Sequence, residues 1–325
     1  MPELRVDPLT GLRVLVAPDR SDRPGGLPEV APPPPVDPSE DPFAAGREDL
    51  TPPTLLRLDG PDGRWRVRAF ANLYPAVVPD APEPERDARP DLFGVLPARG
   101  SHEVIVHAPD PVVSLAQVDA TQVELAVQAW RARMRHHAEA GAAYVHLHVN
   151  ERPEGGASQA HAHAQLTALG FVPADIARER ERYGAYAART MGQDLLQDLL
   201  QEEVRRRRRL VAVDDEAVLL APFASRVPFQ LMLVPRRPAA AFQEEGQGGA
   251  RLLHDGLRRL AARFGAPPPL TLWVRTAPSG AERFGWRIDI LPRLVPLAGL
   301  ELGTGVFLNP VAPERAAAEL REVLG

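Results

Sequence analysis

Short runs along this chain alternate apolar and polar residues, and a period of two puts the two kinds of side chain on opposite faces of a β-strand. "LRVLVAP" is the first such run, followed by "RWRVRAFANLYP", "HEVIVHAP" and "AYVHLHVN". The second half repeats the rhythm with "RLVAVDDEAVLLAPF", "PFQLMLVP", "LTLWVR" and "GWRIDILP". Between them the apolar spacing becomes that of an amphipathic helix, over Asp119–Ala140, about Ile176–Arg206 and near Gly249–Phe264. Strands and helices mixed without regular βαβ alternation predict an α+β fold, a mostly antiparallel sheet flanked by helices. Two similar halves are expected, 1–175 and 176–325. The proline-rich Gly25–Pro42 stretch is neither regular helix nor central strand and reads as an extended, exposed loop.

Composition narrows the chemistry. With 325 residues, 44% hydrophobic and 25% charged, the chain has ample material for a buried core. It has no run of eighteen apolar residues, and "MPELRVDPLTG" is not a basic segment leading into an apolar one, so neither a membrane span nor a secretory leader is expected and a cytoplasmic location is. The absence of cysteine excludes disulfides, thiolate metal sites and a cysteine nucleophile. A net charge of -5 gives no global attraction to nucleic acid. The run Arg205–Arg209 is a local exception, but Glu202 and Glu203 stand at helical spacing from Arg206 and Arg207, the pattern of a solvated helix end. No nucleic-acid partner is expected.

The segment "NERPEGGASQAHAHAQL", Asn150–Leu166, carries the candidate chemistry. On a strand, His161, His163 and Gln165 would share one face, about 6.6 to 6.8 Å apart. Three readings of them compete. They are polar residues on a solvated strand, or metal ligands, or a nucleophilic histidine with its helpers. A zinc site needs further ligands that no HExxH or cysteine cluster supplies. A neutral imidazole attacks phosphorus readily, and Gly155, Gly156 and Ser158 would then offer backbone N–H and hydroxyl groups to the phosphate while Gln165 donates another hydrogen bond. Arg20 and Arg23 in "APDRSDRPGG" are candidates for the positive charge that such a site wants.

Asn150-x7-Ser158-x2-His161-Ala162-His163-Ala164-Gln165 resembles the histidine motif of the galactose-1-phosphate uridylyltransferases, a branch of the histidine-triad superfamily. "ELRVDPLTGLRVLVAPDRSDRP", "DPFAAGREDLTPP" and "WRVRAFANLYPAV" resemble the family's opening strand, its CPFCxGxE segment and its next strand with asparagine. "PFQLMLVP" and "AGLELGTGVFLNPVAPERAAAELREVL" extend the likeness nearly to the C-terminus, the latter toward the branch that includes plant ADP-glucose phosphorylase.

The resemblance implies a histidine-triad-like fold, a homodimer and a two-step transfer. His163 would take a nucleoside monophosphate from UDP-glucose or ADP-glucose, then pass it to a sugar 1-phosphate or to phosphate. Ser158 and Gln165 would sit at the phosphate, Asn72 and Asn150 around the nucleotide, His161 beside the nucleophile. Arg20 and Arg23 would approach the phosphates, from the same chain or across a dimer interface, and Glu301 the sugar. A non-catalytic nucleotide-sugar binding protein is the rival.

One departure from the family stands out. The resemblance implies zinc held by two cysteines and two histidines, at places that here hold Asp41, Ala44, Pro111 and His161. A second metal site of some members falls on Glu179, Arg275, Arg287 and Asp289. Alanine, proline and arginine do not coordinate, so the expectation is a chain with no resident metal or other cofactor, braced instead by packing or by ion pairs such as Arg287 with Asp289. His102 and His107 are candidates to replace lost zinc ligands.

Overall fold

The computed structural model describes residues 1–20, 27–85, 89, 91–244 and 249–324. A hairpin of β1 (Glu3–Val6) and β2 (Arg13–Val16) opens the chain. The first half continues with β3 (Thr54–Asp59), β4 (Trp65–Ala71), β5 (Gly100–Val106), α1 (Ala120–Glu139), β6 (Tyr144–Glu151) and β7 (His163–Leu169). Helices α2 (Ala174–Arg189) and α3 (Leu195–Arg206) lead to β8 (Leu210–Val213), β9 (Ala217–Leu220), β10 (Leu231–Pro235), α4 (Ala250–Phe264), β11 (Leu270–Arg275) and β12 (Arg287–Pro292). Then α5 (Gly299–Thr304), β13 (Val306–Asn309) and α6 (Pro313–Glu322) follow, with β13 joining β2 in a small three-stranded sheet.

Ten strands form one antiparallel sheet in the order β3-β4-β5-β7-β6-β11-β12-β10-β9-β8. From the two edges inward the order is the same, β3-β4-β5-β7-β6 against β8-β9-β10-β12-β11, with α1 and α4 as equivalent crossovers and β6 meeting β11 at the centre. The repeat that is faint in sequence is plain in topology.

Local chemistry explains the helix ends. Asp119 caps α1, its carboxylate accepting the Gln122 N–H at 2.8 Å, a contact that stabilises a helix by about 1 kcal/mol. The expected helix over Ile176–Arg206 is two helices. Met191 and Gly192 adopt positive φ of 57° and 98°, which ends α2, and Asp194 caps α3 through the Gln197 N–H.

The main core lies on one sheet face, where Trp130 and Met134 of α1 and Leu253 and Leu257 of α4 bury against Leu147, Leu166, Leu272 and Ile290. Each such side chain contributes about 1.5–3 kcal/mol. On the opposite face α2 and α3 bury Tyr183, Leu196 and Leu200 against Val218, Leu220 and Met232. That second cluster covers the strands of the second half. On the same face, the strands of the first half border a cavity.

Candidate active site

Strand register brings the site together. Val104 of β5 and His148 of β6 both oppose Gln165 of β7, and Val106 opposes His163, so the motif sits between two paired neighbours that fix its backbone. His163 and Gln165 line a cavity of about 340 Å³ with Phe43, Asn72, Tyr74, His102, Ser158 and Gln159.

His163 is 4% exposed, and its Nδ1–H donates to the carbonyl of His161 at 2.7 Å. A carbonyl only accepts, so the proton sits on Nδ1 and the Nε2 lone pair is left for the cavity. Burial lowers the pKa of the imidazole and keeps it neutral, although the bond to His161 opposes the shift. The edge of Phe43, with ring centroids 5.3 Å apart, packs against the ring.

Gln165 is held by a residue that sequence reasoning assigned elsewhere. The Ala76 N–H donates to His102 Nδ1 at 3.2 Å, so the other ring nitrogen, Nε2, carries the proton and donates to Gln165 Oε1 at 3.0 Å. With its oxygen held, Gln165 turns its amide N–H groups away from His102, and among the described residues nothing accepts from them. His102, considered only as a substitute zinc ligand, therefore orients the motif's glutamine. Its signal in sequence was weak, since it stands 63 positions away on another strand. Asn72 stands beside this network: its Oδ1 accepts the Tyr74 N–H at 2.9 Å, while its Nδ2, 3.2 Å from His102 Nε2, faces a second donor and makes no hydrogen bond to it in this tautomer.

Several expected members lie elsewhere. Strand β7 begins at His163, so His161 does not share its face; it is 1% exposed and bonded to Asp41 and Ala108, away from the cavity lining. Gly155 and Gly156 spend their N–H groups on Arg152 O and Pro153 O, at 3.0 and 2.9 Å, leaving none for a phosphate. Gly155 is required for another reason: a Cβ there would sit 2.4 Å from Leu270 O. Asn150 donates to Gly156 O at 3.4 Å and braces that loop. Ser158 is exposed at the cavity rim, in a stretch where Ser158, Gln159 and Ala160 donate no backbone N–H to the described chain.

Arg20 ends an exposed 3-10 turn and does not line the cavity; Arg23 lies outside the described residues. Glu301 caps α5 through the Ala298 N–H and also accepts from Leu308 N–H, away from His163.

Neither metal position suits a metal. Ala44 and Pro111 offer no ligand, and both nitrogens of His161 are engaged, Nδ1 with Asp41 Oδ2 at 2.6 Å and Nε2 with Ala108 O at 2.9 Å. At the second position Arg287 binds both oxygens of Glu179 and contacts Asp289 at 3.2 Å, while Arg275 stands 3.8 Å from Glu179. Guanidinium groups occupy the space a cation would need. His107 accepts a hydrogen bond from Trp130 Nε1 at 3.1 Å, and His102 is bound in the Gln165 network. The basic run is also paired: Arg205 and Arg206 with Glu202, and Arg209 with Glu203 and Glu314, whereas the spacing had suggested Glu203 with Arg207.

The arrangement provides a neutral imidazole with a free Nε2, a locked amide donor and a hydroxyl around one cavity. Such a set can attack an electrophilic centre and stabilise charge on its oxygens.

The chain is similar to known proteins over nearly its whole length. An ADP-glucose phosphorylase from Arabidopsis thaliana is 29% identical over 339 residues, covering 99% of this chain and 93% of its own. The crystal structure of an ADP-glucose phosphorylase from that plant, with bound ADP-glucose, superposes with a TM-score of 0.82 at 27% identity over 99% of both chains. The galactose-1-phosphate uridylyltransferase of Haemophilus influenzae is 28% identical over 88% of this chain and 82% of its own. A family described as a domain of unknown function matches residues 112–324. The N-terminal domain family of galactose-1-phosphate uridyl transferase matches residues 1–173, more than half of the sequence, and the chain belongs to that family.

Proposed function

We propose that this enzyme moves a nucleoside monophosphate from a nucleotide sugar, UDP-glucose, to a hexose 1-phosphate through a covalent intermediate on His163. The observation that carries the reading is the His163 imidazole, its proton held on Nδ1 by the His161 carbonyl and its Nε2 free beside the cavity. Nε2 attacks the α-phosphorus, a P–N bond forms, the P–O bond to the β-phosphoryl breaks, and the sugar 1-phosphate leaves. The imidazole's new positive charge is shared with Nδ1–H, which the His161 carbonyl already accepts. The Gln165 amide and the Ser158 hydroxyl donate to the phosphoryl oxygens as charge builds on them. The acceptor's phosphate oxygen then attacks the same phosphorus and frees His163.

Among the described residues no arginine lines the cavity, so the further charge that phosphates need is assigned to Arg20 and Arg23 of a second copy in a homodimer. Exposed Leu73, Tyr74, Leu92, Phe93 and Leu96 support such an association. A cytoplasmic setting belongs to the same reading; among the described residues no helix is long and apolar enough to cross a membrane.

The likeness to ADP-glucose phosphorylase favours a second reading, adenylyl transfer from ADP-glucose to inorganic phosphate. Both are tested by one assay. The protein, its dimer mass checked by light scattering, receives UDP-glucose with galactose 1-phosphate, or ADP-glucose with phosphate. Release of glucose 1-phosphate in the first mixture alone supports the first reading, and in the second alone the second. Tight binding of either donor without release contradicts both and favours a binding protein.

A further inference from the structure

We propose that a buried Asp41–His161 ion pair, with both ring nitrogens of His161 protonated, takes the place of the family's zinc in this chain and positions the carbonyl that orients His163. The two groups are 5% and 1% exposed. His161 Nδ1 lies 2.6 Å from Asp41 Oδ2 and Nε2 lies 2.9 Å from the Ala108 carbonyl oxygen. A carbonyl oxygen cannot donate, and neither can an ionised carboxylate, so each ring nitrogen must bring its own hydrogen and the ring is an imidazolium. Asp41 has every reason to be ionised. Burial pushes its carboxyl up, but the hydrogen bonds from His161 and from the Phe43 N–H, with the charge of Arg47, hold it below its ordinary value.

The substitution conserves charge. Zinc with two thiolates and two neutral histidines is formally neutral, and so is one carboxylate with one imidazolium. It also conserves connectivity. The pair joins the Asp41–Ala44 loop, the segment after β5 and the residue that leads into β7. A buried charge is tolerated when its partner and its remaining hydrogen bonds are all supplied, as they are here. The consequence reaches the site because the His161 carbonyl, fixed by this clamp, receives the Nδ1–H of His163 at 2.7 Å. That consequence rests on His163 being the nucleophile; the pair itself does not.

The test uses the full chain, produced in zinc-supplemented medium, purified without chelator and carrying isotope-labelled histidine. Metal is counted by mass spectrometry, and the ring nitrogens are read at neutral pH by proton–nitrogen correlation, with His161→Gln and His163→Asn supplying the assignments. The expected result is zinc far below one equivalent, a melting temperature unmoved by EDTA, His161 protonated on both nitrogens and His163 on Nδ1 alone. Stoichiometric zinc or a neutral His161 overturns the proposal. In Asp41→Asn the imidazolium signature should vanish, the His163 signals should move toward a tautomer mixture, and the melting temperature should fall by roughly 5 °C or more. An imidazolium that survives in Asp41→Asn overturns the pairing, and if that variant does not fold the wild-type spectra decide. Failure of His163 to form a covalent adduct would leave the metal count and the His161 spectrum as they are.

Discussion

His102 does for Gln165 what the His161 carbonyl does for His163: each occupies one polar atom of its neighbour so that the other faces the cavity. The account assigns these residues unequal costs. Gln165→Ala removes a donor aimed at the reacting phosphoryl group, and kcat should fall by about 10²–10³. His102→Ala leaves that donor present but free to rotate, and the loss should be smaller, about 10- to 100-fold. Steady-state kinetics of the two variants decide this; an unimpaired His102→Ala would remove His102 from the site. That His163 and Gln165 share one face was legible in the sequence from period-two spacing within one strand; the choice of His163 over His161 rested on the family resemblance. The direction of His161 was not legible. The strand starts two residues later than the alternation suggests, and the acceptor that turns His161 away is Asp41, 120 positions earlier. The paired glycines misled for a similar reason. Their pattern is that of a phosphate-cradling turn, yet the need for Gly155 comes from a close approach to Leu270 on a distant strand.

At the scale of elements, β5 is fastened to α1 by a buried carboxylate. Glu103 accepts from Arg133 at 2.8 and 2.6 Å and lies 2.7 Å from His137 Nε2. Burial pushes its pKa up, but the hydrogen bonds and charges of Arg133 and His137 outweigh burial and bring it from 4.5 to about 2. A depressed carboxylate pKa stabilises the fold fully above the unfolded value, and that contribution is lost as pH falls through the folded value. The clamp should therefore hold above about pH 4.5 and fade as the pH falls toward 2. Glu103→Gln should cost about 3–5 kcal/mol at neutral pH, because it leaves Arg133 buried without its anion. Urea unfolding of both proteins from neutral pH down to pH 3 should show the difference narrowing on acidification; a constant difference would mean that the charge on Glu103 is not what stabilises this contact. The strands and the cap of α1 were readable from alternation and from Asp119. The division between α2 and α3 was missed: Met191 adopts left-handed backbone without a turn signature, and the helix-ending Gly192 and capping Asp194 beside it were passed over within a continuous amphipathic spacing.

For the whole molecule, one topology is used twice, and the halves have diverged in chemistry. β7 carries the histidine motif, while its counterpart β12 carries Arg287, which binds both Glu179 of α2 and Asp289 of its own strand. The fold class was legible because period-two and helical patterns alternate along both halves, but the repeat was hidden because it lies in strand order and pairing, which the weak sequence similarity of the halves does not display. With the same backbone order, one half borders a cavity on this sheet face and the other is covered by α2 and α3. The account's central claim is that His163 bears the transferred nucleotide. It is tested most directly by intact-protein mass spectrometry at mildly alkaline pH, after separate incubations with UDP-glucose and ADP-glucose and no acceptor. The account predicts an added mass of UMP or AMP, absent from His163→Asn. No added mass with either donor, despite measurable binding, or the same adduct on His163→Asn, would contradict it.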